Sequence, residues 1–212
     1  MSDKLFKFGP ETIYTFVDCE TLNLCLHPCH NLAWQIAMIK VKGNEKIDEK
    51  NFYIKWDTDL KISHEAARIT RYSQSYIDKN GVSVEEVFPT VEDWFTNCDY
   101  IAGHNVLGFD IYLLKGIYDY FHKDYLFLVD KTVDTMCVAR GYKYGLPFDQ
   151  NDSFVEFQYR MLHTRKRGVK TNLASLGKEF GIDHEYNKLH DAIVDLELNL
   201  KVWNILKSKF TM

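Results

Sequence analysis

Two carboxylates, Asp18 and Glu20, close the run Ile13, Tyr14, Thr15, Phe16, Val17, whose β-branched and aromatic residues make a strand. Burying a charge is tolerated when the charge is paired or binds a metal. Residues i and i+2 of a strand point to the same side, so the two acids stand about 6.6 Å apart, at roughly 3.3 Å per residue. Like charges that close repel unless a cation lies between them. The competing reading is a strand that runs out into a solvated loop, where a D-x-E spacing carries no chemistry.

Further acids decide between these readings. The segment GHNVLGFDIYLL (103–114) places Asp110 at the opening of an apolar helix, after a short strand and a glycine-bearing loop. Sites in α/β proteins gather at such carboxyl ends of strands, although a cap or a dipole partner would also account for an acid there. The segment LHDAIVDLELNLKVW (189–203) surrounds Asp195 with Ile193, Val194, Leu196 and Leu198, so this carboxylate is at least partly buried and calls for a cation. His190 precedes it by five residues, about 140° around a helix of 3.6 residues per turn. The two side chains converge only if the helix begins at or just after His190; a surface or capping histidine is the alternative.

The elements that must position these groups are readable from pattern. Thr12–Asp18, Trp34–Lys42 and Lys50–Trp56 are extended, with Gly43 and Asn44 turning the second into the third as an antiparallel hairpin. Helical spacing then takes over in Ser63–Tyr72 and in Val84–Asn97, the latter with Val84, Val87, Val91, Trp94 and Phe95 on one face. YIAGHN (100–105) is a short buried strand, Phe109–Tyr120 a helix, LFLVD (126–130) a strand, and a helix follows from Asp134, whose side chain is suited to cap it. Thr171–Phe180 is a short helix stopped by Gly181, and the last helix runs from Asp191 to Lys207. Hairpin strands followed by alternating strands and helices predict an α/β fold with a mixed sheet flanked by helices.

The 212 residues, 46% hydrophobic and 26% charged, suit a single domain over 1–212, and no linker or repeat divides them. No apolar run reaches the length of a membrane span, and the first ten residues lack the apolar core of a signal peptide. Five cysteines, an odd number without a C-x-x-C pair, fit a reducing intracellular compartment. A net charge of −4 argues against a protein that coats nucleic acid, but not against a local basic groove. CLHPCH (25–30) crowds Cys25, His27, Cys29 and His30 too closely for a structural zinc site lacking a second half, and reads as a loop.

Taken in order, FVDCET, HNVLGFD and HDAIVD resemble the three motifs of the DEDDh branch of the DnaQ-like, ribonuclease H-like 3′→5′ exonuclease superfamily. The resemblance runs from about residue 12 to 206, and QIAMIKV (35–41) and VDTMCVAR (133–140) fit the same pattern. Two positions depart from it: Cys19 replaces a more usual threonine, isoleucine or leucine, and the Asn105-to-Asp110 spacing is one residue longer than in the tightest members. Neither removes a ligand. The resemblance implies a ribonuclease H-like mixed five-stranded sheet, two Mg²⁺ (or Mn²⁺) ions held by Asp18, Glu20, Asp110 and Asp195, and His190 as general base. Asp18 would bridge the ions, Glu20 and Asp195 would complete one, and Asp110 would support the other. The implied reaction is hydrolysis of the terminal phosphodiester of a DNA or RNA 3′ end, single-stranded, with release of nucleoside 5′-monophosphates. Thr21 and Leu22 would contact the terminal nucleotide and Asn105 would shape the second-motif loop.

Arg160, Arg165, Lys166, Arg167 and Lys170 form a basic run without an acid between 160 and 170, suited either to a phosphate backbone or to a solvated loop. Tyr142, Tyr144 and Phe148 could stack bases or pack their own loop down. A proofreading or scaffold subunit within a polymerase or repair complex is the rival to a free-standing enzyme; such a scaffold could dispense with an acid, and none is missing.

Overall fold

The structure is a computed structural model; it describes residues 8–23, 31–57, 62–70, 72–149 and 152–210. Residues 25–30, with the crowded cysteine–histidine segment, lie outside the described residues apart from their sequence. Among the described residues the chain order is β1 (Ile13–Thr21), β2 (Ala33–Lys42), β3 (Glu45–Lys55), α1 (His64–Thr70), α2 (Gln74–Asn80), β4 (Val82–Ser83), α3 (Val84–Thr96), β5 (Tyr100–Gly103), α4 (Asp110–Tyr120), α5 (Leu126–Lys131), β6 (Thr132–Asp134), α6 (Thr135–Tyr144), α7 (Phe154–His163), α8 (Leu173–Glu179) and α9 (Ala192–Phe210). No helix among these residues is long and apolar enough to cross a membrane.

The sheet order is β4-β3-β2-β1-β5-β6. The β1–β2 and β2–β3 pairs are antiparallel, and β5 lies parallel to both β1 and β6. Alternation along β1 divides the core in two. Val17 and Cys19 face one layer with Val87, Val91, Phe95 and Leu114 of α3 and α4. Tyr14 and Phe16 face the other with Cys137, Phe157, Leu196 and Trp203 of α6, α7 and α9. Asp18 and Glu20 continue the second series, so they emerge under α9 at the carboxyl end of the central strand.

The sheet has six strands rather than five. The additional one, β4, is two residues long and pairs with Ile54 and Lys55; so short an element leaves no periodicity in sequence. LFLVD is the helix α5, not a strand. The Asp124 carboxylate accepts the Leu126 N–H at 3.0 Å at its start, and the strand place beside β5 is taken by Thr132–Asp134. A short apolar run does not distinguish the two states. Ser63–Tyr72 shortens to α1 and is followed by a separate helix, α2, capped by Ser73.

Helix α7 was not foreseen, although its signals are present. Ser153 and Glu156 stand in capping-box spacing, the Ser153 hydroxyl accepts the Glu156 N–H, and Phe154, Phe157 and Met161 fall on one buried face. Gly181 follows α8 with φ +67°, the left-handed conformation that ends a helix.

Candidate active site

The end of β1 and the start of α9 build the centre of the site. Asp18, Glu20 and Asp195 each place a carboxylate oxygen within 4.8 Å of the others. The sheet fixes the first two: Asp18 pairs with Ala37 and Glu20 with Gln35, and a bulge between Glu20 and Thr21 turns the strand out beyond them. The helix fixes the third. α9 begins at Ala192, just after His190, as convergence of His190 and Asp195 requires. Asp191 caps the helix, its carboxylate accepting the Ile193 N–H at 3.2 Å.

His190 is exposed and holds φ +71°, a conformation that costs an L-residue with a large side chain about 1–2 kcal/mol. Its backbone N–H donates to Asp195 Oδ2 at 3.3 Å. The other oxygen, Asp195 Oδ1, is buried and has no hydrogen-bond partner. Asp110 is buried at the start of α4 and reaches β1 differently: its Oδ1 accepts the Cys19 N–H at 2.9 Å. It is therefore joined to the three-acid cluster through the backbone of the residue between Asp18 and Glu20, and it is the largest of the charges acting on Asp18.

The electrostatics are those of acids crowded without a counter-charge. Burial first, then Asp110, Glu20, Asp195 and Asp191, push the Asp18 carboxyl well above the usual carboxylate range. Burial and the neighbouring Asp195, Asp110 and Asp191 carry Glu20 to about 8. Asp110 rises to about 7 through burial, against the opposing Cys19 N–H, and Asp195 to about 6 through burial, against the His190 N–H. Asp191 acts on Asp18, Glu20 and Asp195, yet the sequence reading gave it no part; its place directly after His190 in the third motif was the available signal.

The second-motif loop is held from below. Asp134 is fully buried, caps α6 through Met136 and Cys137, and also accepts the Asn105 N–H at 3.0 Å and the Leu107 N–H at 3.1 Å. It is a structural acid, as expected of a cap. Asn105 adopts φ +67° and its carbonyl accepts the Gly108 N–H, so it forms the bend that delivers Asp110. A Cβ on Gly108 would meet Asn105 Oδ1 at 2.4 Å and Leu162 at 3.1 Å, so α7 closes onto this loop and a larger residue there would displace the Asn105 side chain.

The other candidate contacts fall in two places. The Thr21 hydroxyl is buried among Asn31, the Asn23 carbonyl and Leu32, while Leu22 is buried beside Trp34 and Ile77. Arg165, Lys166 and Arg167 are exposed on the segment between α7 and α8. Arg140 and His104, neither singled out from sequence, anchor the ends of that segment. The Arg140 guanidinium donates to the carbonyls of Met161 and Leu162 and to Thr171 Oγ1, and His104 Nε2 lies 3.0 Å from the Thr171 carbonyl. Burial lowers the His104 pKa to about 4, so the ring is neutral and donates from Nε2. Arg160 is paired with Asp152 at 2.9 Å. Phe148 packs on Phe154 and Phe157 rather than standing free, and the Tyr144 hydroxyl accepts the Lys166 N–H.

A mixed sheet whose central strand ends in clustered acids, closed by a histidine-led helix, is the ribonuclease H-like exonuclease arrangement. The exonuclease family model of the RNase T type matches residues 15–203, and the chain belongs to that family, within the DnaQ-like DEDDh superfamily of 3′→5′ exonuclease hydrolases. Among curated proteins it is similar to a PolC-type DNA polymerase III of Mycoplasma pneumoniae, 23% identical over 199 residues, covering 94% of this chain and 12% of that protein. Among solved structures it is similar to Escherichia coli exonuclease I in complex with a dA16 oligonucleotide, with TM-score 0.73, 22% identity, and coverage of 93% of this chain and 41% of that one. The zinc-bound form of the E. coli exonuclease I–ssDNA complex gives TM-score 0.75 at 21% identity, covering 94% and 41%. The chain thus spans less than half of the solved structures and about an eighth of the polymerase.

Proposed function

We propose that the chain hydrolyses the terminal phosphodiester bond at the 3′ end of single-stranded nucleic acid and releases nucleoside 5′-monophosphates. The observation that carries this reading is the Asp18, Glu20, Asp195 cluster, within 4.8 Å, with Asp195 Oδ1 buried and unpartnered. A buried carboxylate oxygen with no donor, among acids whose pKa values are all raised, is suited to a hard divalent cation, Mg²⁺ or Mn²⁺. Asp18, Glu20 and Asp195 would hold one ion, and Asp18 with Asp110 would serve a second. Such ions would supply Lewis-acid stabilisation of phosphate charge and acidify a water for attack.

The protein's own groups do the rest. His190 stands exposed at the mouth of the cluster, where a neutral imidazole can take the proton of the attacking water; general-base catalysis contributes typically ~10²–10⁴-fold. Its N–H to Asp195 and its left-handed backbone keep the ring on the entering loop rather than on α9. Arg165, Lys166 and Arg167 would take the phosphates, and Thr21, Leu22 and Asn105 would shape the seat of the terminal nucleotide. Similarity to exonuclease I bound to a single-stranded oligonucleotide supports the choice of an unpaired end.

The test is degradation of single-stranded DNA, duplex DNA and RNA, each labelled at the 5′ end, in Mg²⁺ and in EDTA. A ladder shortening from the 3′ end, faster on the single strand and absent in EDTA, is expected. Metal-independent cleavage, or none on any substrate, would overturn the reading. The similarity to a PolC-type polymerase favours a second context, a proofreading segment or subunit. Turnover by the isolated chain at rates unaffected by added polymerase would count against it.

A further inference from the structure

The site as described provides for the phosphates and for the reacting bond but offers little to the bases beyond the terminal one. A second surface lies beside it on the sheet. Glu20 pairs with Gln35, and Gln35 pairs with Tyr53 on the next strand. Residues directly opposite in a sheet share a face, so Tyr53 lies on the face of the acids, two strands or about 10 Å across from Glu20. The Tyr53 ring meets Tyr76 of α2 edge-on at 4.9 Å and 74°, and stacks on Trp34 at 6.2 Å and 19°. Tyr72 closes the far side of Trp34 at 5.2 Å.

The rings are fixed in place. Gln35 donates to Asn51 at 3.0 Å and ties β2 to β3 beneath Tyr53. The Tyr76 N–H donates to the Ser73 hydroxyl that caps α2, and its carbonyl accepts from Asn80. Tyr76 nonetheless leaves 47% of its surface in water. A single exposed aromatic is ordinary; here Tyr53 packs against the Leu22, Trp34 and Ile77 cluster, and Tyr76 extends that set of rings into water two strands across from the acids.

We infer that Tyr53 and Tyr76 form an aromatic ledge that stacks an unpaired base near the strand end, a subsite that rests on the proposed nuclease reading. The ring faces, rather than the sign of the surrounding charge, choose the base. Asp191 is close enough to Tyr53 to help raise its hydroxyl pKa, after burial and Tyr76, and Asp78 lies within reach of Gln74 on the same helix. The neutral face of a base gains from stacking on the rings. Exposed cations stand on the neighbouring elements, Lys55 on β3, Arg68 on α1 and Lys79 on α2, as well as between α7 and α8, so phosphates and the stacked base are received by different side chains. A base in a duplex is covered by its neighbours and its partner strand, so the ledge favours single-stranded ends.

The test uses a short single-stranded DNA with 2-aminopurine at the terminal or penultimate 3′ position, with Ca²⁺ replacing Mg²⁺ so that binding is read without relying on turnover. Stacking quenches the probe, so the wild type should quench it at one of these positions, and Tyr76→Phe should do the same. Tyr76→Leu and Tyr53→Leu should lose the quench and raise KM by roughly 5- to 100-fold, the range of one base–aromatic stack, with kcat unchanged. Quenching and KM of Tyr76→Leu equal to wild type would overturn the ledge while leaving the nuclease reading intact. Loss of the quench in a chain that cleaves nothing would uphold the ledge and overturn the nuclease reading. Equal loss in Tyr76→Phe would also overturn stacking, since the ring is retained.

Discussion

Asp134 and Asp195 each stand at the N-terminal turn of a helix, α6 and α9, against the same sheet face. Asp134 is fully buried and accepts four backbone N–H groups, from Asn105, Leu107, Met136 and Cys137. Asp195 accepts one, from His190, and its second oxygen is buried with none. Asp110 lies between them in kind, with one oxygen held by the Cys19 N–H. Burial raises the pKa of all three, but at Asp134 the four donors oppose it. The difference separates an acid whose solvation the protein has replaced from acids whose solvation it has removed. The first holds a loop. The second group needs something from outside, and the geometry leaves the place for it between β1 and α9.

Consequences of this comparison can be ordered by size. His190 stands beside the unsatisfied acids, so His190→Ala should lower kcat by about 10²–10⁴-fold while Mg²⁺-dependent stabilisation persists, since the carboxylates remain. A wild-type rate in that variant would assign the proton transfer to another group. On the satisfied side, Asp134→Ala leaves up to four buried N–H groups without an acceptor and should cost about 3–5 kcal/mol, read by denaturant unfolding. A cost below about 1 kcal/mol would mean that the loop does not depend on this acid.

Asp18→Asn should do the reverse in EDTA. It removes a repelling charge, and Tm should rise by about 2–4 °C for each kcal/mol relieved. The sign with pH follows from the raised values. Asp110, Asp195 and Glu20, with folded pKa values of about 7, 6 and 8, bind more protons folded than unfolded. Their contribution is fully present below about pH 4 and is lost as pH rises toward about 8. The metal-free wild type should therefore lose stability across that window more steeply than Asp18→Asn, and a flat profile would refute the crowding. The smallest effect concerns the basic segment. Changing Arg165, Lys166 and Arg167 to Ala should reduce the slope of log binding against log salt by about 0.7 for each lost phosphate contact on a single strand. An unchanged slope would make the segment a solvated loop.

Much of this contrast was legible in sequence because it is local. The strand composition before Asp18, the D-x-E spacing and the apolar circumference around Asp195 required no tertiary knowledge, and the start of α9 just after His190 followed from the need for convergence. The capping role of Asp134 was equally local, but its grip on Asn105 and Leu107 was not: those contacts span 29 and 27 residues. Arg140 and His104 escaped notice for the same reason, since their partners lie on α7 and at Thr171. LFLVD was misread because five apolar-rich residues fit a strand or a helix turn equally well, and only the pairing of Thr132–Asp134 with β5 settles it. The ledge of Tyr53 and Tyr76 depends on strand register, which a one-residue slip would reverse.

The central claim is that Asp18, Glu20 and Asp195 are arranged for a divalent cation rather than for one another. Titration of Mn²⁺ into the metal-free protein, with free Mn²⁺ followed by electron paramagnetic resonance, tests it without reference to any substrate. Saturable binding is expected for the wild type and for His190→Ala, with binding lost or greatly weakened in Asp18→Asn and Asp195→Asn. Equal Mn²⁺ binding by the wild type and both Asn variants would contradict it.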